Sequence, residues 1–402
     1  MITGTNPIIL AFSGGLDTSF CVPWLKEAYG RPVVTATVNT GGLDAAAISA
    51  LAERSDKLGA VEHVLVEARE EFFEQVLKFL IMGNVRRGQL YPLCVGAERG
   101  LQARYLAELA STRGATTVAH GCTAAGNDQV RFEIILKTLA PELEVLAPVR
   151  DYAWPREDQL AYLKERDLPA PTGGSEYSIN RGLWGVTIGG AETLDSVHSI
   201  PESAWVLSAG AFDASRAAEE ITVGFAQGVP VSLNGKSLAP VTLIEQLEEY
   251  GQRFGIGRGI HLGDTILGTK GRVAFEAPAA AILLTCHREL EKLTLTALQQ
   301  RVKEPLSLTY GDLIHEGKQL DPVCRDIEAL LASSQERVTG FVRCLLHTGS
   351  VFVSGVESPH SLMAANRGKY GESTGEWTPA DALGFSRIQS LPGILYKRAE
   401  RD

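Results

Sequence analysis

The chain has 402 residues, 45% of them hydrophobic and 21% charged, which is too long for one ordinary core and excludes a mainly disordered polymer. Asp and Glu total 48 against 38 Lys and Arg, a formal net charge of −10; that sign argues against a polyanionic partner, so no nucleic acid is expected. The six cysteines (Cys21, Cys94, Cys122, Cys286, Cys324, Cys344) are scattered, without a CxxC pair or a histidine at zinc spacing, and no apolar run approaches the roughly 20 residues of a membrane span. No metal ligand set and no membrane are expected, and free thiols together with an N-terminus unlike a signal peptide predict a cytoplasmic protein.

From the N-terminus, short β-branched runs alternate with longer amphipathic stretches. PIIL (7–10) leads into a glycine loop, and PVVTATVN (32–39), VEHVLVEA (61–68) and TTVAH (116–120) follow after intervening helical segments. Strands separated by helices imply right-handed crossovers, hence a parallel, doubly wound α/β sheet covered on both faces. RDLPAPTGGSEYS (166–178) concentrates Pro, Gly and Ser, and the rhythm stops there, so the first domain is expected to cover 1–170. Beyond it, 221–236 and 340–356 read as hairpins and 240–254 and 278–300 as helices, an α+β domain over 171–375. A short tail, 376–402, carries Pro392 and Gly393, which predict a broken or shortened helix.

Two loops carry candidate chemistry. In AFSGGLDTSF (11–20), a strand over 8–12 ends at Ser13, Gly14 and Gly15 turn, and Asp17, Thr18 and Ser19 open a helix to about Tyr29. Strand, glycine turn and helix start aim backbone N–H groups and a helix dipole at one point, an anion site; the plainer alternative is a glycine turn with Asp17 or Thr18 capping the helix. The Lys-Ser/Thr pair of a Walker loop is missing, so γ-phosphoryl transfer is not expected. AHGCTAAGNDQVRFE (119–133) likewise follows a predicted strand end. There Thr123, Asn127 and Asp128 offer a hydroxyl, an amide and a carboxylate, or serve only as turn residues. His120 is a candidate base or a structural histidine, and Arg131 a planar fork for a carboxylate or a solvated charge.

SGGLDTS resembles the loop of the ATP pyrophosphatases (PP-loop enzymes), which cleave ATP between its α and β phosphates and hold the pyrophosphate there. Taken with GNDQVRFE, LEVLAPVRD (143–151), GQRFGIGR (251–258) and KGRVAFEAP (270–278) in order, the chain resembles the argininosuccinate synthase family over nearly its whole length. The resemblance implies a PP-loop nucleotide domain followed by a synthetase and multimerisation domain. It implies a ligase of arginine biosynthesis that joins the ureido group of citrulline to the amine of aspartate through a citrulline adenylate, releasing AMP and pyrophosphate. ATP and Mg²⁺ are the implied cofactors, and a homotetramer embraced by C-terminal helices the implied assembly. Carried over residue by residue, Ala11, Phe12, Ser13, Gly14, Gly15, Leu16, Asp17, Thr18, Ser19, Val38, His120 and Gly121 would bind ATP. Thr123, Asn127 and Asp128 would bind aspartate, and Tyr91, Asn127, Arg131, Ser178 and Thr187 citrulline; Arg99 would meet an anionic group of a substrate. Asp17, Asn127 and Asp128 would stand nearest the chemistry.

The departures cluster in the citrulline pocket. Gly96 stands where the family has a serine, Gly263 where it has a glutamate, and Phe275 where it has a tyrosine, while Ala125 replaces a lysine of the second loop. Removing a carboxylate from beside a substrate ammonium costs about 3–5 kcal/mol, so the pocket is expected to be larger and less able to hold a cation. Two acceptors stay open: free citrulline, with an acid supplied from elsewhere, or a citrulline whose α-amine carries an acyl group. A tRNA-thiolating relative would want a cysteine pair and a basic face, and a nucleotide sensor would not need both SGGLDTS and GNDQVR.

Overall fold

Ile8, Ile9 and Leu10 have no exposed surface, and they form the central strand of the first sheet. In this computed structural model, which describes residues 6–170, 176–213, 216–366 and 375–400, β1 (Ile8–Ala11) lies between β2 (Val33–Asn39) and β4 (Thr117–Ala119). β3 (Glu62–Glu67) and β5 (Glu144–Leu146) complete a parallel sheet of order β3-β2-β1-β4-β5. Side chains alternate across a strand: Ile8 and Leu10 pack with Phe20, Val22 and Leu25 of the helix Leu16–Tyr29, whereas Ile9 packs on the other face with Leu106, Phe132 and Leu136. The chain leaves β1 for β2 and returns to β4, so strand order reverses between β1 and β4.

Residues 171–175, inside the segment where the domain boundary is expected, lie outside the described residues, as do 1–5 and 401–402. After them the sheets are antiparallel. β6 (Tyr177–Gly182), β7 (Gly185–Gly190), β11 (Arg258–Asp264) and β12 (Lys270–Glu276) pair in the order β11-β12-β7-β6. The two expected hairpins supply β8 (Glu219–Ala226), β9 (Val229–Leu233), β10 (Lys236–Ser237), β13 (Gly340–His347) and β14 (Ser350–Glu357), in the order β10-β9-β8-β13-β14. The turn between β6 and β7 anchors this part to the parallel sheet. Leu183 donates its N–H to the Thr40 carbonyl at 3.2 Å, and Trp184, fully buried, donates its indole N–H to the Pro92 carbonyl at 2.9 Å. Gly41 (φ +110) admits this approach, since a Cβ there would lie 2.6 Å from Leu183.

Two helix expectations are corrected. The stretch 278–300 is two helices, Pro278–Thr294 and Ala297–His315, because Thr296 caps the second and exchanges hydrogen bonds with Gln299 in a capping box. The C-terminal helix Pro379–Ala399 runs through Pro392 and Gly393. A proline removes one N–H and crowds one carbonyl, and a ladder of 21 residues opened by a Thr378–Asp381 capping box continues on both sides of that defect. None of this helix's residues is buried. Among the described residues, no helix is long and apolar enough to cross a membrane.

Candidate active site

Because β1 and β4 are neighbours, the loops that follow them, 12–15 and 120–126, open on one cleft of about 540 Å³ where strand order reverses, the place at which open α/β sheets take ligands. Gly14 (φ +71) makes the first turn, and a Cβ on it would meet Leu51 at 2.4 Å. Gly15 caps the helix Leu16–Tyr29 with no side-chain acceptor; the capping alternative through Asp17 or Thr18 is therefore not what forms. First-turn N–H groups are left for an anion, with the Ser13 and Thr18 hydroxyls 3.3 Å apart beside them. Gly121 of the second loop sits where a Cβ would lie 3.0 Å from the backbone of Asp17 and Thr18. The helix Asn127–Leu139 is also capped by a glycine, Gly126, without a side-chain acceptor. Two such helix starts thus open on the same cleft.

Of the residues expected at ATP, Ala11, Phe12, Ser13, Gly15, Asp17, Thr18, Val38, His120 and Gly121 line this cleft. Leu16 and Ser19 are buried behind it, and Gly14 shapes the turn. His120 accepts the Cys122 N–H on Nδ1 at 3.3 Å, so its proton is on Nε2. Burial, aided by Arg150, pushes its pKa down to about 4. It is neutral, with Nδ1 engaged and a proton on Nε2, an arrangement that suits a donor better than a base.

Thr123, Asn127 and Asp128 line the same cleft. The Asn127 Oδ1 accepts the Ile266 N–H at 2.9 Å, tying the turn after β11 to the first sheet. Asp128 stands 2.6 Å from Arg131 Nη1 and 2.9 Å from Arg99 Nε. Burial would raise its pKa, but the two guanidinium groups overcome it and hold the carboxyl down to about 2. Arg99, expected at a substrate anion, is thus paired within the chain. Arg131 is buried, donating from Nε to the His315 carbonyl at 2.7 Å and from Nη2 to His315 Nδ1 at 3.1 Å. Two of its five N–H bonds are left over.

A second cavity, of about 280 Å³, shares Val95, Gly126, Asn127, Asp128 and Asn180 with the cleft and adds Tyr91, Gly96, Ala125, Arg131, Thr187 and Gly263. The seam is a tight turn. Gly96 donates to the Cys94 carbonyl at 2.6 Å across Val95, whose φ of +61 and ψ of −49 belong to a rare, strained γ-turn. The Tyr91 ring lies at 5.4 Å and 18° on His261 while its hydroxyl donates to the Cys94 carbonyl. Ser178 lines the larger cleft rather than this cavity, so the two expected citrulline residues of the β6–β7 hairpin are split between the two. Phe275 stays behind the wall, edge-on to Tyr91 at 5.2 Å.

The space beside the glycines, expected to enlarge the pocket, is taken up by neighbouring side chains. A Cβ on Gly96 would lie 3.2 Å from the Arg131 guanidinium; one on Gly263 would lie 2.5 Å from His261 Nε2 and 3.2 Å from Arg87 Nη1. Basic side chains occupy the room that other side chains would take.

Among the lining residues that escaped the sequence analysis are Arg87, His261 and His315 around the smaller cavity, and Glu98 on the cleft. Burial, only partly offset by Arg99, pushes Glu98 up to about 7, with Oε2 accepting from Thr40 at 2.7 Å. His315 meets Arg131 from 184 positions away, a distance no local motif spans. An ionisable residue inside an otherwise apolar run, as in LCVGAERG, is the signal that could have found Glu98.

The chain's likeness to known proteins agrees with this arrangement. Residues 7–169 match the arginosuccinate synthase N-terminal HUP domain, and residues 177–396 the arginosuccinate synthase C-terminal domain. The argininosuccinate synthase of Methanocaldococcus jannaschii is 36% identical over 98% of each chain, and that of Symbiobacterium thermophilum 37% identical over 98% of each. The argininosuccinate synthase of Rippkaea orientalis is 39% identical over 96% of this chain and 97% of its own. With both domains matched in order and nearly the full length aligned, the chain belongs to the argininosuccinate synthase family of ligases.

Proposed function

We propose that the chain joins the ureido group of citrulline to the amine of aspartate, with ATP cleaved to AMP and pyrophosphate. The observation that carries this reading is the meeting of two glycine-capped helix starts in one cleft, with Asp128 on its wall and Arg131 paired to Asp128 from the adjoining cavity. The ureido oxygen attacks the α-phosphorus and pyrophosphate leaves; the aspartate amine then attacks the ureido carbon, AMP leaves, and the amine gives up its proton. The N–H groups and hydroxyls of 13–19 stabilise the departing pyrophosphate, a charge that develops during the reaction. Asp128, ionised throughout the physiological range, accepts from the ammonium of aspartate, and Thr123 with Asn127 donates to its carboxylates. Arg131, with Tyr91 and Thr187, orients the ureido substrate. Most of the acceleration comes from proximity, because the adenylate is already activated.

Asp17, the acid of the first turn, lines the cleft beside these donors, and a carboxylate oxygen is a hard ligand suited to Mg²⁺. When bound, Mg²⁺ neutralises polyphosphate charge. A homo-oligomer, tetrameric by resemblance, is supported by the C-terminal helix, whose Leu383, Phe385, Ile388, Leu395 and Tyr396 are exposed and need a cover. The free thiols fit a cytoplasmic setting. No observation favours tRNA thiolation or a sensor without catalysis. Mass spectrometry of a mixture of the protein with ATP, Mg²⁺, aspartate and a ureido acid tests the reading: AMP, pyrophosphate and an aspartate adduct are expected, and ADP with phosphate would contradict it.

A further inference from the structure

Among the described residues, the smaller cavity has donors to spare and no buried acid left unpaired. Asp128 is held by Arg99 and Arg131, whereas Asp264, more than half exposed, meets the exposed Lys270 at 2.5 Å at the solvent edge of the cavity. Asp312, outside the cavity lining, stands 3.5 Å from Arg87 Nε. The donors are less committed. A guanidinium only donates, so the His315 Nδ1 that faces Arg131 Nη2 must accept, and the ring proton sits on Nε2. That Nε2 is a buried donor without a hydrogen-bond partner; the Nε2 of His261 is likewise buried and unpartnered, donor or acceptor according to its tautomer. Both residues are more than nine-tenths buried and both line the cavity, with Arg87 beside them. His261 is fixed in place by stacking on Tyr91 and fits only because Gly88 and Gly263 flank it; a Cβ on either would come within 2.9 Å and 2.5 Å of the ring.

An unpaired donor in a buried site favours an acceptor oxygen, whereas an ammonium placed among these groups would find only Asp264 at the solvent edge, already beside Lys270, and would sit near two guanidinium groups. We infer that the acceptor is a ureido acid whose end remote from the ureido group presents carboxylate or acyl oxygens to Arg87, Arg131 and His315 and carries no free ammonium, as in a citrulline acylated on its α-nitrogen. This inference rests on the ligation reading above and changes only the acceptor. His261 and Gly263 then act as specificity determinants: the imidazole holds the place from which an acid could receive an ammonium.

The test offers the full-length protein ATP, Mg²⁺ and aspartate with one of four acceptors: citrulline, N-acetylcitrulline, N-succinylcitrulline or 5-ureidopentanoate. Release of AMP is measured. At least one acceptor without an ammonium is expected to exceed citrulline in kcat/KM by about tenfold or more. The acyl forms against 5-ureidopentanoate separate a gain from added oxygens from a gain by loss of the ammonium alone. Arg87→Gln is expected to shrink that preference roughly tenfold, and Arg87→Lys to restore part of it. Citrulline used as well as or better than all three others overturns the inference and leaves the ligation reading standing, and a preference unchanged by Arg87→Gln overturns the role given to the basic cluster. No AMP with any acceptor, from protein that still binds ATP, overturns the ligation reading and the inference with it.

Discussion

The two cavities share a wall at Asn127 and Asp128 and are built on opposite principles. The larger cleft is organised around backbone, two glycine turns and two helix starts at 11–19 and 120–128, with side chains from 36–43, 95–106 and 178–181 completing its wall. Its chemistry follows from where glycine allows the chain to bend. The smaller cavity is made of side chains brought from separate segments, Arg87 and Tyr91 from one loop, Thr187 from β7, His261 from β11 and His315 from the end of a helix. A site of the first kind is hard to alter without losing the fold, and a site of the second kind is re-specified by a few substitutions. That contrast would let a chain keep the loop 11–19 while the acceptor pocket proposed above is re-specified.

The largest effect is expected at the shared wall. Asp128→Asn should lower AMP release by at least about a hundredfold. It should also destabilise the protein by about 3–5 kcal/mol, because Arg99 and Arg131 lose their common counter-charge; progress curves and urea titrations check the two separately. Full activity in this variant would remove Asp128 from the reaction.

The backbone side is tested at Gly14. Gly14→Ala places a Cβ against Leu51 at a φ of +71, a strain of about 1–3 kcal/mol. ATP affinity measured by calorimetry should weaken about tenfold. If the acceptor cavity is independent, KM for the acceptor should change far less, and equal losses in both would break the comparison.

A smaller, pH-dependent effect belongs to Glu98. Its carboxyl titrates near 7 when folded against about 4.5 as an unperturbed group. Its protonated form is favoured by the fold, so this contribution to stability is fully present below about pH 4.5 and is lost as pH rises through 7. Glu98→Gln should therefore be more stable than the parent above pH 7, by on the order of 2–3 kcal/mol, and show no such gain near pH 4. Urea midpoints at the two pH values read this directly.

How much of this was legible in the sequence follows the same division. PIIL followed by SGG, and TTVAH followed by GCTAAGND, announce strand, turn and helix start locally, so the parallel sheet and the cleft between its two loops were legible in the sequence. Thr296 with Gln299 divided a predicted single helix through a capping box, a local signal outweighed by apolar periodicity. Pro392 pointed the other way, since its local rule does not stop an otherwise well-formed 21-residue helix. The substitutions to Gly96 and Gly263 were visible, but their meaning was not. A glycine in sequence reads as empty space, and only the fold reveals that Arg131, His261 and Arg87 take that space up.

In the proposed reaction, ATP activates the acceptor's ureido oxygen in the larger cleft. Citrulline and N-acetylcitrulline labelled with oxygen-18 in the ureido group test it most directly, with the AMP analysed by mass spectrometry. Whichever acceptor is turned over, the account expects one labelled oxygen in each AMP formed. Unlabelled AMP, or product appearing with ADP, would contradict it.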